Sequence, residues 1–245
     1  GYDLIDFSKI DRQLGGEKAF YHLADQIKKT QLGWVQDIVP NHMAYHPSNP
    51  FLYDVLAKGQ QSIYSEYFDI NWQMKDSKLK AKLLFPFLEK PLENCLQEKL
   101  LQLLYSYTKK QFFIHYHNFR IPLKQQNFQE ILSIYMNLMP QKKQNSIPVK
   151  DSAKILWLLD RVNENNSELS YLFWQKLLAT QNFLLSYWKN SRKEINYRRF
   201  FSINELICLK IETRNVFDDV HQLILQEVCQ GNITGLRIDH LDGLF

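Results

Sequence analysis

The sequence predicts an α/β fold with a parallel sheet, interrupted by a long, mostly helical insertion. Two observations carry this. A helix, a glycine, a strand and a polar cluster follow one another near each end of the chain, and the composition changes between Met43 and about Phe200. In the first occurrence Phe20, Leu23, Ala24 and Ile27 recur at helical spacing, and Gly33 stands where a helix C-cap belongs. Trp34-Val35-Gln36-Asp37-Ile38-Val39 then reads as a strand halted by Pro40. In the second, Asn215 is an N-cap candidate ahead of a Val216, Val220, Leu223, Ile224, Val228 stripe. Gly231 closes that helix, and Thr234-Gly235-Leu236-Arg237-Ile238-Asp239 follows as a strand.

The stretch between them is rich in Leu, Gln, Lys, Asn and Tyr. Leu96, Leu100, Leu103 and Leu104 predict one helical stripe; Ile155, Leu156, Leu159 and Val162 predict another. Residues 141–150 read as a solvated loop. Tyr105, Tyr107, Trp157, Trp174 and Trp188 are expected at helical positions in the core, and Gly15-Gly16 as the start of a helix.

Composition narrows the class. The chain has 245 residues, 45% hydrophobic and 23% charged, and its 16 Phe, 13 Tyr and 5 Trp supply enough apolar area to argue against disorder. No apolar run approaches the roughly 18–20 residues of a membrane span, and the N-terminus does not read as a signal peptide. The chain lacks an initiator Met and reads as an internal piece of a longer protein. Cys95, Cys208 and Cys229 suit neither a disulfide framework nor zinc, and are expected as reduced thiols of a cytoplasmic protein. A net charge of +4, dispersed along the chain, is no nucleic-acid footprint.

In parallel α/β folds chemistry gathers at the carboxyl ends of the strands. Both predicted strands end there in polar clusters, Asp37-Ile38-Val39-Pro40-Asn41-His42 and Arg237-Ile238-Asp239-His240-Leu241-Asp242. Alternation puts Asp37, Val39 and Asn41 on one face of the first strand, and Arg237 and Asp239 on one face of the second. A cation two residues before a carboxylate favours its ionised form, the state an anionic nucleophile needs. From pattern alone, an ion pair that merely orients the strand explains Arg237 and Asp239 as well. His46 reads as a solvated loop residue. His115 and His117 alternate with apolar residues as on a strand and lack a third ligand nearby.

The same runs carry a resemblance. Asp37-Ile38-Val39-Pro40-Asn41-His42 resembles the first signature region of the α-amylase family of glycoside hydrolases and transglycosylases. Gly235-Leu236-Arg237-Ile238-Asp239-His240 resembles its second, on the fourth barrel strand, and Gly1-Tyr2-Asp3 resembles the segment near the second strand. The resemblance implies Asp239 as the nucleophile and Arg237 as the residue orienting it. It implies Tyr2 as a sugar-stacking platform with Asp3 beside it, Asn41 and His42 lining the sugar site, and Asp37 supporting its base. It also implies a partial (β/α)8 barrel of about strands 2–4, with the insertion between strands 3 and 4. The expected divisions are 1–42 and 201–245 for barrel segments and 43–200 for the insertion.

Within that family, Asn49-Pro50-Phe51-Leu52-Tyr53-Asp54-Val55-Leu56, Tyr64 to Trp72 and Ile195 to Leu206 resemble the maltooligosyl trehalose synthase subfamily, as does Arg237 to Leu244. Ser202 departs from its pattern, where an acidic residue is common. This narrower resemblance adds Arg198, Phe201, His240 and Asp242 to the substrate-binding set. It implies an intramolecular transglycosylase acting on maltooligosaccharides, an isomerase overall, without cofactor or metal and monomeric as the full-length enzyme. The proton donor would lie beyond Phe245, leaving residues 1–245 inactive alone. The alternatives are an α-1,4-glucan hydrolase or 4-α-glucanotransferase of the same family, or a non-catalytic carbohydrate-binding module.

Overall fold

The computed structural model describes residues 3–75, 78–124, 126–142, 147–163, 167–190 and 194–241. In chain order its elements are α1 (Gly16–Lys29), β1 (Val35–Ile38), β2 (His42–Ala44), α2 (Pro50–Lys58), β3 (Leu83–Leu88), α3 (Leu92–Gln97), β4 (Gln102–Ser106), β5 (Gln111–Tyr116), β6 (Phe119–Pro122), α4 (Phe128–Met136), α5 (Asp151–Asn163), α6 (Glu168–Ala179), β7 (Phe183–Tyr187), β8 (Leu206–Cys208), α7 (Arg214–Cys229) and β9 (Gly235–Ile238). Two compact units result. One comprises Gly1–Tyr45, Glu66–Asp69 and Arg198–Phe245; the other comprises His46–Ser65 and Ile70–Tyr197. Among the described residues no helix is long and apolar enough to cross a membrane.

In the first unit β1 and β9 pair in parallel, with Asp37 opposite Arg237 and Ile38 opposite Ile238. The two chains enter this pair in close contact. The Trp34 carbonyl accepts from the Thr234 and Gly235 N–H groups, and a Cβ on Gly33 would stand 2.9 Å from the Thr234 hydroxyl oxygen. Gly33 is therefore kept by this approach and not, as the sequence suggests, by capping α1. The cap is Thr30, followed by Gln31 at φ 57. At the start of α7 the N-cap is Thr213, with Asn215 already inside the first turn, while Gly231 at φ 67 does end that helix region. Buried Glu227 of α7 accepts from the Tyr21 hydroxyl of α1 (3.0 Å) and from Asn232 Nδ2 (2.7 Å), so its carboxylate has partners on two elements. A second pair, β2 with β8, is antiparallel, with His42 opposite Cys208.

The second unit has its own core and is mixed rather than all helical. Among the described residues five strands accompany its helices: a parallel pair β3–β7 and an antiparallel β4–β5–β6 meander. The expected Leu96, Leu100, Leu103, Leu104 helix does not exist. α3 stops at Gln97, Lys99 takes φ 57, and Leu103 and Leu104 point to opposite faces of β4. On α5 the buried stripe is Ile155, Leu158 and Val162, and Leu156 is exposed. Tyr105 lies on β4, and Tyr107 and Trp188 are exposed rather than helical core; Trp174 is buried on α6. Tyr135 packs edge-on to both Trp157 (5.6 Å) and Phe173 (5.8 Å), joining α4, α5 and α6. His115 lies on β5 as its alternation predicts.

Candidate active site

The parallel register of the first unit brings the strand-end residues onto one face. Asp37 and Arg237 are direct partners across the sheet, and Asp239 follows Arg237 by the two-residue pleat repeat. The Arg237 guanidinium reaches both carboxylates, Nη1 3.4 Å from Asp37 Oδ2 and Nη2 3.6 Å from Asp239 Oδ2. Its side chain is 64% exposed. Ion pairs this open contribute only about 0–1 kcal/mol each. The arrangement holds two carboxylates in place more than it stabilises the sheet.

Beyond Ile238 the chain leaves the ladder. The Asp239 N–H donates to the Ile38 carbonyl (3.0 Å), and His240 turns to φ 57, a conformation costing a β-substituted residue about 1–3 kcal/mol. That turn sets the His240 N–H on Asp239 Oδ1 (3.1 Å) and the His240 Nε2 at 3.6 Å from Oδ2. Asp239 thus meets Arg237 and both the main chain and ring of His240.

Around these groups stands an aromatic cluster. His42 of β2, fully buried, stacks on Phe200 at 4.3 Å and 12°. Phe200 and Phe201 each meet the His240 ring edge-on, at 5.2 and 5.1 Å. Phe201 is 61% exposed and takes φ 49, ψ 30, and Ser202 takes φ 60, so two consecutive non-glycine residues are left-handed. The turn is tied at both sides. Arg198 Nε donates to Asp69 Oδ2 (2.7 Å) and its N–H to the Asp69 carbonyl (2.9 Å); Arg199 Nη1 donates to Asn204 Oδ1 (2.7 Å).

The structure therefore gathers Asp37, Arg237, Asp239, His240, Asn41, His42 and Phe201. Asp3 is exposed and belongs to no helix or strand. Tyr2 and Asp242 lie outside the described residues. Arg198, expected among the substrate-binding residues, is paired with Asp69 at 2.7 Å and leaves 25% of its side chain exposed. Phe200 takes a larger part than the sequence suggests, and so does Asp69; nothing local signals a partner 129 residues away from Arg198. His46 is half-buried, not solvated. Its Nδ1 accepts from the Ser48 N–H (3.1 Å), its ring packs on Phe119 (4.9 Å), and burial lowers its pKa. Burial pushes the Cys208 thiol up to about 11. Among the described residues no three His, Cys, Asp or Glu side chains group as a metal site.

Comparison with known proteins gives concordant results. Residues 1–139 match the model of the α-amylase catalytic domain. Over the whole chain it is 26% identical to a curated protein of Mycobacterium tuberculosis (strain CDC 1551 / Oshkosh) assigned by name to the maltooligosyl trehalose synthases. The chain spans 25% of that relative's length. Among solved structures, a glycosyltrehalose synthase matches 100% of the chain at 32% identity with a TM-score of 0.71, the chain covering 27% of it. Maltooligosyltrehalose synthase from Arthrobacter ramosus matches 100% of the chain at 27% identity with a TM-score of 0.69, again over 25% of its length.

Proposed function

From the premise that this chain belongs to the α-amylase family, we propose that it carries the nucleophile half of an intramolecular transglycosylase acting on α-1,4-glucans. The observation that carries the reading is the Asp37–Arg237–Asp239 constellation at the ends of two parallel strands. In this reading β1 and β9 are strands 3 and 4 of a (β/α)8 barrel, whose chemistry sits at that end. The relatives' names supply the substrate class, maltooligosaccharides.

Asp239 Oδ attacks the anomeric carbon of the sugar preceding the reducing-end glucose. The C1–O4 bond breaks as the C1–Oδ ester forms, and the departing O4 takes a proton from a second carboxyl group. In a retaining pair that group stands about 5–5.5 Å away; the resemblance to the family implies that it lies on the next barrel strand, beyond Phe245. Arg237 and His240 fix the Asp239 carboxylate, and the Arg237 guanidinium balances its charge. The freed glucose remains bound and turns. Its anomeric hydroxyl then attacks C1, the ester breaks, and the hydroxyl proton returns to the second carboxylate. The product is an α,α-1,1 bond, so the reaction is an isomerisation. Water competes for the ester, so the site must exclude it. Exposed Phe201, held by the strained turn, supplies a stacking face for the turning glucose.

Proton NMR of maltopentaose with the full-length protein tests this. Loss of the reducing-end anomeric signal without free glucose or maltose is expected. Short sugars with reducing ends retained would replace the reading by hydrolysis or 4-α-transfer.

A further inference from the structure

We infer that Asn41 is a positioning residue for Asp239, acting through the backbone of His240; the inference rests on the glycosyl-transfer reading above. Asn41 is completely buried, and both ends of its amide are committed. Nδ2 donates to the His240 carbonyl at 2.9 Å, and Oδ1 lies 2.5 Å from His42 Nδ1. A carbonyl oxygen only accepts, so the NH2 group must face His240. Oδ1 then faces His42, and the hydrogen of that contact sits on His42 Nδ1. The Asn41 carbonyl accepts from the Leu209 N–H (3.0 Å), which fixes the residue from its main chain as well. A side chain so placed is not a sugar ligand.

The contacts close a circuit. Asn41 holds His42, His42 stacks on Phe200, Phe200 meets the His240 ring, and the His240 carbonyl returns to Asn41. What the circuit secures is the left-handed backbone conformation of His240, a residue whose N–H is aimed at Asp239 Oδ1 and whose ring nitrogen is aimed at Oδ2. Without the Asn41 donor the His240 carbonyl loses the hydrogen bond that fixes ψ at this residue, and relaxation of the left-handed conformation turns the His240 N–H off the carboxylate. The nucleophile stays but loses its aim.

The test compares Asn41→Ala, Asn41→Asp and Asp239→Asn in the full-length protein, with maltopentaose and with α-maltosyl fluoride. Asn41→Asp preserves size and the acceptor facing His42, and removes the amide donor to His240. α-Maltosyl fluoride loses fluoride as the C1–Oδ bond forms, with no proton needed, so fluoride release reports the attack alone. A misaimed reacting group costs about 100-fold, and that loss is expected in kcat and in fluoride release. KM should stay within about threefold, as for an interaction made only in the transition state. Full kcat and fluoride release in a folded Asn41→Asp protein, whatever its thermal midpoint, would overturn the inference. A raised KM at unchanged kcat would overturn it too, making Asn41 a sugar contact. Turnover by Asp239→Asn would instead remove the glycosyl-transfer reading, and the inference with it.

Discussion

The second unit closes its large side chains over one another, with Phe85, Phe112, Phe173 and Phe183 all essentially buried. In the first, Val35 of β1 stands 66% exposed on a two-stranded parallel sheet of a kind that globular proteins cover on both faces. Yet the paired charges, the left-handed residues at the strand end and the open aromatic ring all belong to the first unit. The contrast separates two tasks. Apolar burial supplies stability in both units, as at Phe173 in the second and Met43 and Phe68 in the first, whereas the strand-end charges of the first contribute little to stability and fix direction instead.

The sharpest way to break that contrast is Asp239→Asn in the full-length protein. Removing a nucleophile costs about 10⁴-fold or more in turnover, and the variant should still bind maltopentaose by calorimetry. Activity within a few-fold of the parent would refute the role of the strand-end cluster. The converse is Phe173→Ala, which opens a void between α4 and α6. It should destabilise by about 3–5 kcal/mol in denaturant titrations, while the folded fraction keeps its turnover. Smaller still is Phe201→Ala. This exposed ring should change stability by no more than about 0.5 kcal/mol, but the ratio of transfer to hydrolysis, read by product analysis, should fall several-fold. An unchanged ratio would deny it any part in shielding the ester.

The least effect concerns pH. Burial lowers the His46 pKa in the folded state, so the unfolded chain binds the proton more readily. Stability is therefore complete above the unfolded value of about 6.5 and declines as pH falls below it toward the lowered folded value. His46→Gln should flatten this decline in thermal scans taken below a pH of about 6.5.

How much of this could be read in advance depended on how local the cause was. The two ends were legible because helix, glycine, strand and polar cluster each leave a mark on contiguous residues, as around Gly231 and Asp37 to His42. The β4–β5–β6 meander was not. Leu100, Leu103 and Leu104 fall at helical spacing by coincidence, and the break comes from Lys99 adopting φ 57, which no sequence pattern announces. In the site, alternation placed Asp37 and Arg237 each on a strand face. Nothing in the spacing said that the strands run side by side in the register that lets one guanidinium reach both carboxylates. The partnership of Arg198 with Asp69 and the circuit through Asn41 are likewise products of tertiary structure.

That register has a consequence in time. Trp34 and Thr234, hydrogen-bonded at the mouth of the sheet, lie 200 residues apart in the chain. At a synthesis rate of about 5–20 residues per second, β1 waits roughly 10–40 s before its partner strand exists. All of the second unit has been made by then, and the bridge of Ile70 to Tyr197 inside it turns a long excursion into a short one. The entropy of closing β1 on β9 is thereby reduced before the two strands meet. The bridge thus shortens the loop that β9 must close on β1 once Arg237 has been made.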